Sequence, residues 1–245
     1  MAKALPLDQI PVFNTDNKPN PEIDFSNAAI ILVNKEKGWS SFDVVKYVRH
    51  RLKARKVGHA GTLDPMAVGL LILCSGRATK SISQLQEMPK TYVAEVTLGA
   101  STPSYDAESD IDNTADWEHI TLEAIETVLK RDFSGDILQV PPMYSALKRD
   151  GKRLYELARR GESIELEPRP VTIYSHEILG FEKNKLQLKI ECSKGTYIRS
   201  IAHDLGKALN SLGHLSALAR TQIGEFTSDK ALSTLQINEL LNAEN

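Results

Sequence analysis

Twelve consecutive residues, Gly58-His59-Ala60-Gly61-Thr62-Leu63-Asp64-Pro65-Met66-Ala67-Val68-Gly69, set one histidine and one aspartate among three glycines and a proline. A Walker loop ends on Gly-Lys-Ser/Thr and a dinucleotide fingerprint reads Gly-x-Gly-x-x-Gly, and this segment does neither. What it can do is present a carboxylate on a tight, backbone-exposed turn, although an Asp before Pro is by itself more often a turn residue than a catalyst. A second cluster is Lys194-Gly195-Thr196-Tyr197-Ile198-Arg199. There Arg199 could grip a carboxylate or phosphate with its planar fork, and Tyr197 could offer a ring with a polar tip. An exposed first-turn arginine is the competing reading of Arg199. The third is Lys90-Thr91-Tyr92, where a tyrosine opening a strand is ordinarily a core aromatic.

These clusters need elements to hold them. Residues 28–33 form a short apolar run that reads as a buried strand. Ser40 with Asp43 three residues later resembles a capping box opening a helix through Leu52, with Val44, Val45, Val48 and Leu52 expected on its inner face. Residues 91–99 alternate Tyr92, Ala94, Val96 and Leu98 against Val93, Glu95 and Thr97, the period of a strand with one buried face. A helix is expected over 121–131. Residues 171–181 and 185–192 are expected to pair through a turn at Lys183 and Asn184, leaving Cys192 as a small core residue. After Gly195, Ile198, Ile201, Ala202, Leu205, Ala208, Leu209 and Leu212 keep helical spacing, and Gly213 is read as the stop. Strands scattered among helices without regular βαβ alternation predict an α+β fold with a largely antiparallel or mixed central sheet flanked by helices.

At 245 residues, with 41% hydrophobic and 25% charged side chains, the chain is large enough for a substantial core and has no fibrous or disordered bias. Residues 1–27, broken by Pro6, Pro11, Pro19 and Pro21, read as an extended arm; 28–230 read as one domain, and 231–245 as a short C-terminal helix. Cys74 and Cys192 have no companions at metal-ligand spacing, so neither a metal site nor a disulfide framework is expected. The arm lacks an apolar export signal, and the longest apolar run, 67–74, is too short to span a bilayer, so a cytoplasmic location without a membrane is expected.

The net charge of −2 gives no hint of a polyanionic partner, but its distribution does. Residues 46–56 carry Lys46, Arg49, Arg51, Lys53, Arg55 and Lys56 without one acid. A second basic stretch holds Lys148, Arg149, Lys152, Arg153, Arg159 and Arg160, interleaved with Tyr144 and Tyr155, and Gly161 is the expected stop of its helix. Between them, residues 106–136 carry ten acids and two bases.

Taken in order, the three clusters resemble the TruB family of tRNA pseudouridine synthases. The resemblance covers about residues 28–226 and extends to Pro142-Met143-Tyr144-Ser145-Ala146-Leu147-Lys148, Gly151-Lys152-Arg153-Leu154-Tyr155-Glu156-Leu157-Ala158-Arg159 and Cys192-Ser193. It implies a pseudouridine-synthase-like core that isomerises uridine 55 in the tRNA T-loop without cofactor or metal. By the same resemblance Asp64 is the nucleophile, Arg199 its guanidinium partner and Tyr92 the stacking platform. His59, Tyr197, Leu218, Lys35 and Asp106 then fall at substrate-facing positions, and residues 142–165 form an RNA-clamping insertion. Relatives usually read Asp-Lys-Pro-x-Gly where this chain reads Asn34-Lys35-Glu36-Lys37-Gly38, so the lysine is kept and the proline lost. Ala60 stands where many relatives have threonine. The C-terminal RNA-binding domain of bacterial relatives is expected to be absent. The T stem-loop of tRNA is the expected partner, with a monomer and no obligate protein partner. The competing classes are a non-catalytic tRNA-binding or tRNA-folding protein of the same fold and a guide-RNA-dependent relative of the dyskerin type.

Overall fold

The computed structural model describes residues 4–145, 147–149, 152–158, 160–162 and 164–242. The chain divides into two compact units, Met1–Tyr92 with Ala219–Asn245, and Val93–Leu218. Among the described residues no helix is long and apolar enough to cross a membrane.

In the first unit, the strand Ala28–Lys35 pairs antiparallel with Val68–Gly76, from Ala28 opposite Gly76 to Lys35 opposite Gly69. Its apolar run is continuous because both faces of the pair are covered. Ile31, Val33, Leu71 and Leu73 meet Val44, Val45, Val48 and Leu52 of the helix Ser41–Arg51 and its cap. Ile30, Leu32, Leu70, Ile72 and Cys74 face the other way, against Ala60, Leu85 and Ile223. The capping box is present: the Ser40 hydroxyl accepts from the Asp43 N–H, and the Asp43 carboxylate accepts from the Ser40 N–H. The strand Val57–His59 also pairs antiparallel with Val68–Gly76, while Ala219 and Arg220 run parallel beside Val68 and Gly69.

The N-terminal segment, expected as an extended arm preceding the core, is part of it. Val12 and Phe13 pair in parallel with Ile30 and Ile31, and Ile10, Phe13 and Phe25 are buried. The prolines prevent a regular period, but isolated apolar residues between them still find the sheet edge and seal it. The helix Thr234–Asn242 contributes Ile237 to the same core.

In the second unit, the strand Arg169–Glu182 pairs antiparallel with Lys185–Cys192 on one side and Gly135–Gln139 on the other. Lys183 takes φ +55 in the turn. Leu186, Leu188, Ile190 and Cys192 alternate inward as expected. The helix Leu122–Asp132 is capped by the Thr121 hydroxyl, which accepts from the Ala124 N–H at 3.2 Å. Helices set among antiparallel and parallel strand pairs give the expected α+β class.

The helix after Gly195 is shorter than its spacing implies. It spans Ile198–Ala208 and ends where Asn210 takes φ +55, with the Ser211 N–H bonded back to the Gly206 carbonyl and the Asn210 N–H to that of Lys207. This left-handed cap satisfies the terminal carbonyls and releases Leu212 from the helix. Gly213, expected as the stop, instead opens the strand Gly213–Ile223. A Cβ there would lie 2.5 Å from the Ala202 carbonyl oxygen, so glycine serves a close backbone approach.

The second basic stretch is a short antiparallel pair, Lys148–Arg149 with Lys152–Arg153, followed by the helix Leu154–Ala158, which buries Leu154 and Leu157. Gly161 takes φ +74 and ends it, with its N–H on the Ala158 carbonyl. Arg159 and the side chains of Lys148, Arg149, Lys152 and Arg153 lie outside the described residues.

Candidate active site

In the first unit Asp64 stands at a turn whose neighbours on both sides are fastened. The Asp64 carbonyl accepts from the Ala67 N–H at 3.0 Å, which closes the turn around Pro65. One residue before it, Leu63 is held by the buried Ser41 hydroxyl, which accepts from the Leu63 N–H at 2.8 Å and lies 3.1 Å from the Leu63 carbonyl. One residue after it, the Pro65 carbonyl accepts from the Gly38 N–H at 2.8 Å and from the Lys35 ammonium at 3.3 Å.

Lys35 is wholly buried, and its ammonium also donates to the carbonyls of Glu36 at 3.0 Å and Trp39 at 2.7 Å. A buried ammonium is tolerated only when its donors find acceptors. Here it ties the turn after the first strand to the Asp64 turn, so its geometry is that of a residue that positions the loop.

Arg220, which the sequence reading passed over, completes the brace. Its buried guanidinium donates to the carbonyls of Leu70 at 2.8 Å, Gly61 at 3.1 Å and Thr62 at 3.3 Å. It thereby holds the entry and the exit of the loop at once. Gly69 is required beside it, because with φ +100 a Cβ would lie 2.4 Å from the Arg220 carbonyl oxygen. The available signal was phase: Leu218 and Arg220 both occupy inward positions of one strand, where a charge is unexpected.

His59 lies in the strand Val57–His59, opposite Leu73. Burial pushes its pKa down, the Gly61 backbone opposes this, and the Arg220 charge adds to it, so the ring is neutral at pH 7. Tyr92 is partly exposed near the start of the strand Lys90–Leu98, whose Ala94, Val96 and Leu98 are buried.

In the second unit Arg199, Asp106 and Tyr197 come together through a hydrogen-bonded frame. Arg199 is the second residue of the helix Ile198–Ala208 and is nearly inaccessible. Its guanidinium donates to the Ser104 carbonyl at 3.1 Å and lies 3.4 Å from the buried Asp106 carboxylate. That carboxylate also accepts from the Ser104 hydroxyl at 2.6 Å and the Glu108 N–H at 3.0 Å. Tyr197 caps the helix, and its backbone is gripped on both sides by the buried side-chain amide of Gln139: the Tyr197 N–H donates at 2.7 Å and its carbonyl accepts at 3.1 Å. Nothing in the sequence marked Gln139 for this part. Leu218 is buried in the strand Gly213–Ile223.

Tyr105 holds the Asp106 segment from the other side. It takes φ +63, accepts from the Leu215 N–H, and stacks its ring on His203 at 3.7 Å between centroids. Burial, helped by the Lys207 charge and opposed by Asp112, pushes the His203 pKa down to about 4. The unfolded chain therefore binds a proton there from about pH 6.5 downward that the folded chain refuses until about pH 4. The stability owed to neutral His203 is complete above pH 6.5 and is lost as pH falls through that window. Urea unfolding should accordingly show wild type losing about 1 to 2 kcal/mol more than His203→Gln between pH 7 and pH 4, allowing for solvent screening at the ring edge. Parallel curves would place the acid sensitivity elsewhere.

Comparison with known proteins adds the family context. A family model described as TruB family pseudouridylate synthase (N terminal domain) matches residues 49–198. A protein of Parabacteroides distasonis named tRNA pseudouridine synthase B is 47% identical over 225 residues, covering 89% of this chain and 95% of the relative. Its namesake in Flavobacterium johnsoniae is 45% identical over 225 residues, covering 89% and 98%, and that of Francisella philomiragia is 49% identical over 212 residues, covering 86% and 70%. Among solved structures, a chain of a Cbf5-Nop10-Gar1 complex superposes with a TM-score of 0.67 at 29% identity. The match covers 90% of this chain and 56% of that one, so the present chain spans little more than half its length.

Proposed function

The chain belongs to the TruB family of pseudouridylate synthases, RNA-directed isomerases, and from that membership we propose that it converts uridine 55 of the tRNA T-loop to pseudouridine with Asp64 as nucleophile. The observation that carries this reading is the fastening of Leu63 and Pro65 on either side of Asp64, which leaves the carboxylate on a fixed turn. Preorganisation of this kind is what a displacement on a bound nucleotide demands.

In the proposed reaction the target nucleotide leaves the stack and enters the site, because neither its sugar nor its ring edge is reachable in a stacked loop. The N1–C1′ bond breaks, the uracil turns, and a C5–C1′ bond forms. The C5 proton passes to solvent and N1 gains one, so atoms and charge balance without any cofactor. Asp64 attacks and later departs, which an ionised carboxylate can do. The family resemblance assigns Arg199 the positive charge that favours the ionised form, and within the second unit the Asp106 carboxylate lies 3.4 Å from that guanidinium and orients it. Neutral His59 adds no competing cation to the loop. Tyr92 is the platform for the flipped base, with Tyr197 and Leu218 excluding water.

Tritium release from tRNA carrying 5-tritiated uridine tests this reading. Release of one equivalent per tRNA, lost when the T-loop uridine is replaced by cytidine, is the expected result. Binding of tRNA without release would leave the non-catalytic class as the better account.

Tyr92 gives a finer check. Tyr92→Phe should retain most activity while Tyr92→Ala loses the stacking platform, worth about 1 to 3 kcal/mol for one base. Equal damage from both in kcat/KM would transfer the role from the ring to the hydroxyl.

A further inference from the structure

The helix Ser41–Arg51 carries a feature that isomerisation at Asp64 does not use. Beside it runs a groove of ≈ 690 Å³ lined by Trp39, Lys46, Tyr47, Arg49, Arg51 and Lys53 among others. We propose that this groove is a secondary RNA-binding track, holding an unpaired nucleotide and adjoining phosphates of the same tRNA whose uridine is isomerised. The inference rests on the tRNA substrate proposed above and extends it to a surface beyond the reacting base.

Charge is the first ground. Lys46, Arg49 and Lys53 are exposed and fall at i, i+3 and i+7, so one side of the helix and its cap presents three cations within a span of about 10 Å at 1.5 Å per residue. The acid in the groove, Asp43, already serves the Ser40 hydroxyl and N–H, and those bonds hold its pKa down. Its carboxylate is the helix cap, and the nearby Lys46 charge adds to those bonds in lowering its pKa, so the groove carries this acid among its cations.

The aromatic wall is the second. Trp39 and Tyr47 meet edge to face at 5.3 Å between centroids, and the Arg51 guanidinium lies 3.3 Å over the Tyr47 ring. Arg51 is fixed further by its bond to the Asn238 side chain at 2.8 Å. The wall is held by these contacts, and Arg51 belongs to it rather than to the exposed cations. Because Arg51 covers a face of Tyr47, the Arg51 guanidinium plane and the Trp39 ring are the surfaces the wall offers a base, and such planes flanked by lysine and arginine bind single-stranded nucleic acid irrespective of sequence. At the start of the same helix Phe42 is 70% exposed, a further aromatic surface.

Position is the third. The Trp39 carbonyl accepts from Lys35, whose ammonium also holds Pro65, and Ser41 holds Leu63. The head of the groove is thus tied to the Asp64 turn.

The test compares wild type with the triple variant Lys46→Ala/Arg49→Ala/Lys53→Ala. The three side chains are exposed, so an unchanged thermal melt is the folding control. Full-length tRNA should bind the variant at least about tenfold more weakly, and the slope of log K against log salt should become shallower by about 2 to 3. The maximal rate at saturating tRNA should be retained. Trp39→Leu should weaken binding by about 5- to 150-fold, with Trp39→Phe restoring most of it. Wild-type affinity and slope in the triple variant, with wild type active in tritium release, would overturn the track alone. A loss confined to the maximal rate would also overturn it, since the groove would then act on the loop. An inactive wild type would instead sink the proposed reaction.

Discussion

Asp64→Asn is expected to abolish turnover while leaving tRNA affinity within about twofold of wild type. The amide matches the carboxylate in shape and keeps the backbone arrangement, so the turn closed by Ala67 and the flanking anchors at Leu63 and Pro65 should survive. What is lost is the ionised oxygen. An amide oxygen cannot form and release a bond to the nucleoside, and removal of a nucleophile ordinarily costs several decades in kcat. Single-turnover tritium release gives the rate, and filter binding of the same tRNA gives the affinity. Residual activity above about 1% of wild type, or less than about 2.7 kcal/mol of barrier, would show that Asp64 is not the covalent group. Loss of binding in parallel with rate would make it a binding residue. The separation of the two quantities carries the assignment, because a merely structural aspartate would lower both.

The contrast between Asp64 and its supports explains what could be read in advance. The helix start at Ser40 and Asp43, the alternation over 185–192 and the helix expected over 121–131 follow local rules, each decided by residues close to one another in the chain. Local rules survive folding. The candidate motif around Asp64 was legible for the same reason, since glycines, proline and carboxylate are adjacent in the chain. Arg220 lies more than 150 positions from the Asp64 loop, and Gln139 is 58 positions from the Tyr197 backbone it grips. No periodicity within one segment reports such partners. Lys35 was noticed by motif but not by role, because only the fold shows its ammonium turned onto three carbonyls. The helix end was missed because Asn210, not the expected Gly213, adopts the left-handed conformation, and asparagine is the weaker of the two signals. The basic run was read by count, whereas the structure separates Arg51, committed to Tyr47 and Asn238, from Lys46, Arg49 and Lys53.

Arg220→Met should bring a large structural loss to the loop that carries Asp64. Methionine fills much of the space but offers no donor, so the carbonyls of Gly61, Thr62 and Leu70 lose three bonds made by one charged group. Buried carbonyls left unpaired cost about 1 to 3 kcal/mol each. Because they share one donor the costs do not add fully, and a total of about 3 to 5 kcal/mol is expected in urea unfolding. Arg220→Lys separates stability from function. An ammonium is a point donor on a flexible stem and cannot reproduce the planar fork that reaches both stems of the loop. It keeps the charge and should keep much of the stability, yet the stems at Gly61 and Leu70 are no longer fixed to each other, and Asp64 at the apex gains freedom. Misplacement of a reacting group by about 1 Å can cost a hundredfold in rate, so kcat should fall by about that factor with KM nearly constant. Gly69→Ala attacks the same brace from the strand side, driving a Cβ into the Arg220 carbonyl. Combined with Arg220→Lys it should add little further loss in kcat, because the brace can be broken only once. Wild-type kcat in a folded Arg220→Lys protein would mean that Ser41 and Lys35 suffice to aim the carboxylate, and the brace would then serve folding alone.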